Sequence, residues 1–180
     1  MQPAVSLVRV ADLSAAEREE ARALSRVVYP PEQWADWPGR LLEWADAEWC
    51  VCVRDHDGAL VSYAGVVVRD ATVDDVPVRI GGVGGIKTHP AARGRGHARL
   101  GIEKALLFFR EQPNVAFALL VCEPHLVPYY AALGWTDFHG SLRVLQHGEM
   151  TEFTFNCVMT HPVRGHGPIT GTIDLRGAPW

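Results

Sequence analysis

The chain has 180 residues, 48% of them apolar and 21% charged, and its 17 basic and 21 acidic side chains leave a net charge of −4. That length supports one domain with a sizeable core, and the acidic balance argues against a general nucleic-acid binder. No run of about 18 apolar residues is present, so no membrane span is expected, and Met1-Gln2-Pro3-Ala4-Val5 lacks the basic and apolar blocks of a signal peptide.

In chain order, Leu7, Val8 and Val10 predict a short first strand. Ser14-Ala15-Ala16-Glu17 reads as a capping box opening a helix that Pro30-Pro31 stops. A second element over 32–47 carries Trp34, Trp37, Leu41, Leu42 and Trp44, with Pro38-Gly39 breaking it. Runs at 49–54 and 60–69 flank the turn Asp55-His56-Asp57-Gly58, a hairpin pattern, and a third run over 76–88 completes a meander. A helix over 95–111 places Ile102, Ala105, Leu106 and Phe109 on one face. The apolar run 115–122 suits a strand buried on both faces, parallel to its neighbour by the crossover rule. A short helix over 128–133, strands over 142–146 and 152–159, and a Gly- and Pro-rich tail from His161 follow. Cys50, Cys52, Cys122 and Cys157 sit in apolar, strand-like contexts and read as reduced, buried thiols in a cytoplasmic protein. The eight histidines show no metal spacing, so no metal is expected.

The stretch from Ile80 to Ala98 organises the chain. A glycine-rich strand leads into the basic turn Arg93-Gly94-Arg95-Gly96 and then a helix N-terminus, an arrangement that holds anions on backbone N–H groups and the positive end of the helix dipole. Arg93-Gly94-Arg95-Gly96-His97-Ala98 fits the pattern Gln/Arg-x-x-Gly-x-Gly/Ala, and Tyr130-Ala131-Ala132-Leu133-Gly134-Trp135 supplies a Tyr before a small loop ending in Gly and an aromatic. In these two motifs and in its element order the chain resembles the GCN5-related N-acetyltransferase superfamily over roughly residues 5 to 160.

The resemblance implies an α/β fold with a mixed, mostly antiparallel sheet of about seven strands, four flanking helices and a splayed parallel β4/β5 pair. It implies one domain over 1–180, with 161–180 a tail returning toward the acceptor site. A closer likeness is to the aminoglycoside 2'-N-acetyltransferases. It rests on Leu7-Val8-Arg9-Val10-Ala11-Asp12-Leu13, Asp36-Trp37, Gly134-Trp135-Thr136-Asp137-Phe138-His139-Gly140 and Asp174-Leu175-Arg176-Gly177-Ala178-Pro179-Trp180. It implies acetylation of an amino group on an aminoglycoside-type antibiotic, kasugamycin-like sugars included. One departure stands out: those enzymes carry a Glu, their candidate base, where this chain has Gly84.

The implied chemistry is direct attack of an amine on the thioester of acetyl-CoA, with no acyl-enzyme. The pyrophosphate would lie on the N–H groups of residues 95–98 beside Arg93, while Ile86-Lys87-Thr88 would pair with pantetheine amides as an added strand does. Tyr130 is the expected general acid, with Tyr129 a packing residue. For the base, Glu123, His125 and the carboxylate of Trp180 remain open, as does a capping role for Glu123. Glu32 and Asp36 match acidic acceptor-binding positions, with Gly84 and Trp180 beside the acceptor, and Trp34, Trp37 and Trp44 are either core or a wall for a sugar ring. Expected partners are a small cationic amino sugar and, in the assembly, allowance for a homodimer; nucleic acid and membrane are not expected. Two rival readings are an N-acetyltransferase for another small amine or a protein N-terminus, and a catalytically degenerate CoA-binding module.

Overall fold

The computed structural model describes residues 3–180, apart from the side chain of Trp34; the choice between core and wall for Trp34 therefore lies outside what is described. β1 (Ala4–Arg9) precedes α1 (Ala15–Val28). The Ser14 hydroxyl accepts from Glu17 N–H and the Glu17 carboxylate accepts from Ser14 N–H, so both halves of the capping box form. α2 (Pro31–Asp36) is a short helix, and a 3-10 turn at Pro38–Leu41 follows where Pro38 cannot continue it.

β2 (Trp49–Arg54), β3 (Leu60–Val73) and β4 (Val76–Thr88) form the antiparallel meander. α3 (His97–Glu111) crosses to β5 (Val115–Cys122), which pairs parallel with β4. α3 starts two residues after the predicted Arg95, because Gly94 and Gly96 both take positive φ and keep 94–96 out of the helix. After β5 come a 3-10 turn (Pro124–Leu126), α4 (Val127–Ala131) and β6 (Thr136–Asp137). β7 (Ser141–Gln146) and β8 (Glu149–Glu152) make a hairpin, then β9 (Cys157–Pro162) pairs with β5 and β10 (Thr172–Asp174) closes the list.

Two predictions are corrected. The strand over 152–159 is two strands separated by the Phe153–Asn156 segment, whose aromatic rings turn inward toward Trp44. The described sheet therefore has ten strands, not about seven, since β6, β8 and β10 are too short to show a two-residue period. The path runs β6-β9-β5-β4-β3-β10-β7-β8, with β1 and β2 on the other stretch of β3. The mixed, mostly antiparallel sheet, the four α-helices and the parallel β4/β5 pair match the expected fold class.

The sheet buries both faces. On one, Ile102, Ala105, Leu106 and Phe109 of α3 pack on Val51, Val53, Ala64, Val66, Val83 and Leu120. On the other, Val67, Ile80, Leu119, Leu142, Val144, Ile173 and Leu175 pack with Trp180. Glycines set the spacing: a Cβ at Gly81 would lie 2.6 Å from the Phe109 ring, and one at Gly82 would enter the Trp180 indole. Cys50 and Cys52 are buried on one face of β2 with their sulfurs 4.0 Å apart, and both are free thiols, as are Cys122 and Cys157. No helix among the described residues is long and apolar enough to cross a membrane.

Phe109 has no exposed surface and fills the gap left by Gly81. Phe109→Ala should cost about 3–5 kcal/mol in a urea unfolding experiment; a loss below 1 kcal/mol would mean that the α3–sheet contact collapses to fill the space.

Candidate active site

β4 and β5 part at the centre of the sheet. Their parallel register ends at Gly82↔Leu119, and no pairing between them follows. Trp180 occupies the point of separation: its indole is buried, and Nε1–H donates to Leu119 O at 3.1 Å. Beyond it lies a cleft of about 1240 Å³.

Tyr130, Glu123 and His125 all line this cleft, although one comes from α4 and two from the end of β5 and its turn. Tyr130 is 6% exposed and sits edge-on to Tyr129 and Trp135. Burial pushes its phenol above the ordinary tyrosine value, with lesser contributions from Cys122, Tyr129 and Tyr29. The phenol therefore stays protonated through neutral pH, and as a proton donor it is weaker than a solvated tyrosine. Glu123 stands at the start of the 3-10 turn, where its carbonyl accepts from Leu126 N–H but its side chain makes no capping hydrogen bond; its Oε2 lies 3.2 Å from His125 Nδ1, with both side chains largely exposed. Burial pushes the Cys122 thiol, which also lines the cleft, up to about 12. It is therefore not a thiolate nucleophile at neutral pH.

Of the predicted acceptor residues, Asp36, Gly84 and Trp180 line the cleft, while Glu32 is exposed on α2 and is not among the lining residues. Trp37 and Trp44 also line it, stacked with centroids 5.9 Å apart and 18° between planes, and Phe155 meets both edge-on. Asp46, Tyr63, Asn156 and the side chain of Lys87 belong to the wall too, and composition or spacing did not single them out for it. The sequence signal for Lys87 was the glycine pair before it: Gly85 takes φ 56 in a bulge that sets Gly84 opposite Gly65 and Lys87 opposite Tyr63.

Gly84 has a local explanation. A Cβ there would lie 2.6 Å from the carboxylate carbon of Trp180, so this candidate base and the main chain that carries it fill the space of a side chain.

The basic turn lies beyond the end of β4. Arg93 follows a 3-10 turn (Pro90–Ala92) and donates from Nε to Thr88 O at 3.3 Å. Gly94 and Gly96 take φ 75 and 80 with open space where a Cβ would be, Arg95 is exposed, and Ala98 is half-buried in the first turn of α3. His97 is 8% exposed, and its Nδ1 is buried with no hydrogen-bond partner. Two left-handed glycines with open space beside them and a helix N-terminus fit an anionic ligand such as a pyrophosphate. Among the described residues, no strand pairs with β4 on this side at Ile86-Lys87-Thr88, where Ile86 O accepts from the Tyr29 hydroxyl and Thr88 O from Arg93, and this edge fits an extended amide chain.

In the turn at Asp55, His56 and Asp57 the potential metal-ligand atoms lie within 4.8 Å of one another, but Asp55 Oδ1 already accepts from the N–H groups of Asp57 and Ala59.

Because the tail fills the space at position 84, Gly84→Glu should not restore a carboxylate to the site but should displace Trp180. We expect a loss of roughly 1–3 kcal/mol in urea unfolding, and a variant as stable as the parent would contradict the packing described.

The sequence matches the family model described as "Acetyltransferase (GNAT) domain" over residues 9–137. No match is found among curated proteins. Among solved structures, the fold is shared with an Escherichia coli GNAT family N-acetyltransferase (YhbS) in complex with CoA, at 16% identity and TM-score 0.60, covering 97% of this chain and 90% of that one. Escherichia coli ElaA is similar at 16% identity and TM-score 0.62, covering 89% of this chain and 99% of that one. The ribosomal-protein-S18-alanine N-acetyltransferase from Escherichia coli aligns at 13% identity and TM-score 0.56, covering 91% and 97%. At these identities the structures speak to the fold, while the family rests on the sequence match over most of the chain. The chain belongs to the GNAT acetyltransferase family and is an N-acetyltransferase that uses acetyl-CoA.

Proposed function

We propose that this enzyme acetylates an amino group of an aminoglycoside-type amino sugar. The observation that carries this reading is the wall of the cleft formed by the stacked Trp37 and Trp44, with Asp36 and Asp46 beside them. An aromatic plane suits the apolar face of a sugar ring, and the carboxylates suit its ammonium groups. The same wall would offer little to a neutral aliphatic amine.

Acetyl-CoA supplies the thioester that the amine attacks. Arg93, the 94–98 backbone and His97 would hold its phosphates, and the open edge of β4 at 86–88 its amides. A backbone N–H of that edge would steady the charge developing on the carbonyl oxygen. Glu123 accepts a proton from the acceptor ammonium, directly or through water, with His125 beside it to share the charge. Tyr130 donates its proton to the departing thiolate, and the raised phenol makes that transfer dependent on close contact.

Free-thiol release with acetyl-CoA across a panel of 2-amino sugars, simple amines, amino acids and an Ala-starting peptide tests the acceptor. The amino sugars should give the highest kcat/KM. Turnover confined to the peptide or simple amines overturns the sugar reading, and CoA binding without turnover of any amine would mark a degenerate module.

Tyr130→Phe should lower kcat by roughly 10²–10⁴-fold, the range of a positioned acid, with CoA affinity nearly kept. Because burial raises the phenol, the alkaline loss of kcat due to Tyr130 should begin only above about pH 10, the ordinary tyrosine value. An unchanged kcat in the variant removes Tyr130 as the acid.

A further inference from the structure

Three cations line the cleft beside its carboxylates: Arg26, which is paired with Glu19, Arg93, which belongs to the basic turn, and Lys87, which has no acidic partner among the described residues. Lys87 lines the cleft on the face shared with Tyr63, Gly65 and Gly84. Simple alternation along β4 would send residues 84 and 87 to opposite faces. The extra residue at the Gly85 bulge turns Lys87 back to the acceptor side, above α1, where Nζ donates to Ser25 Oγ at 2.7 Å. The Ser25 hydroxyl in turn donates to Ala21 O at 2.9 Å, so it meets Lys87 with lone pairs only. Nζ also lies 4.8 Å from the centre of the Tyr63 ring.

A serine oxygen and an aromatic face use two directions around an ammonium that has three donors. No carboxylate among the described residues pairs with it, and burial alone depresses its pKa. A half-buried ammonium with no counter-charge is costly. Both neighbours nevertheless favour the charged form, so the fold positions the charge rather than neutralising it.

Resting on the amino-sugar reading above, we propose that Lys87 is an anion subsite of the acceptor cleft, so that the natural acceptor is amphoteric: an amino compound carrying a carboxylate near the amine that is acetylated. The acidic wall of Asp36, Asp46 and Glu123 takes the ammonium groups, and Lys87 takes the acid. A purely cationic acceptor leaves Lys87 unpaired and repelling it, whereas an amphoteric one matches both signs. Lys87 thereby selects among amines that the acidic wall alone would treat alike.

The test uses two probe pairs that differ in one acid: 2-amino-2-deoxyglucuronic acid against 2-amino-2-deoxyglucose, and alanine against alaninamide. Dissociation constants are measured by calorimetry on the full chain saturated with CoA, for the parent, Lys87→Met and Lys87→Arg. In the parent the acid of at least one pair should bind about tenfold or more tighter than its partner, the size of a well-formed charge-assisted contact. Lys87→Met should bring that ratio close to one, and Lys87→Arg should keep most of it. Equal binding within both pairs in the parent, or a preference that survives Lys87→Met, overturns the proposal. So does a weaker CoA complex in Lys87→Met with an unchanged acid preference, because it would assign the charge to the cofactor. Thiol release followed in parallel separates the two readings. A Lys87-dependent preference without turnover of either sugar supports the subsite and counts against the amino-sugar acceptor, while turnover of both sugars at equal rates and equal affinity does the reverse.

Discussion

The point where β4 and β5 stop pairing sets the terms for the rest of the molecule. Up to Gly82↔Leu119 the two strands share a parallel ladder; beyond it their facing edges diverge, and the backbone groups there need other partners. The Trp180 indole takes the Leu119 carbonyl at the divide and holds the strands apart. It reaches that place because β4 offers no side chain at 82 or 84 to obstruct it. The tail that carries it is tied by Ala45 N–H to Pro179 O, by Leu145 N–H to Gly177 O and by Arg69 to Ala178 O. One face of the parted strands thus rests on α3, and the other opens into the cleft.

This arrangement separates the two proposed binding tasks. The turn proposed to hold the pyrophosphate and the start of α3 sit beyond the end of β4, and offer backbone N–H groups and two open glycines. The proposed acceptor wall is built from elsewhere in the chain: the α2 region, the loop before β2, and the turn after β5. A backbone-made site tolerates sequence change around it, and a side-chain wall does not. The family match accordingly identifies the cofactor, while the acceptor has to be argued from the wall.

Burial works in two directions inside the cleft. It holds Tyr130 protonated and Cys122 as a thiol, which leaves a proton donor in place and removes a competing nucleophile. It also makes the unpaired charge of Lys87 conspicuous, since neither Ser25 nor Tyr63 neutralises it. Glu123 and His125, at the exposed mouth, retain the solvent contact that proton exchange with water requires.

Much of this was legible in local sequence. The capping box of α1, the hairpin at Asp55–Gly58, the long apolar run of β5 and the turn at Arg93–Gly96 each depend on residues within a few positions of one another, so pattern alone determined them. Tyr130, Glu123, His125, Asp36 and Trp180 could be named from motifs, and the structure brings them to one cleft. Three things needed the tertiary structure. The short strands β6, β8 and β10 exist only through their partners across the sheet. The glycine at 84 read as a missing carboxylate until the Trp180 main chain was found in its space. The side of the sheet that Lys87 faces was decided by a one-residue bulge, because a strand's alternation is local but its register belongs to the neighbour it pairs with.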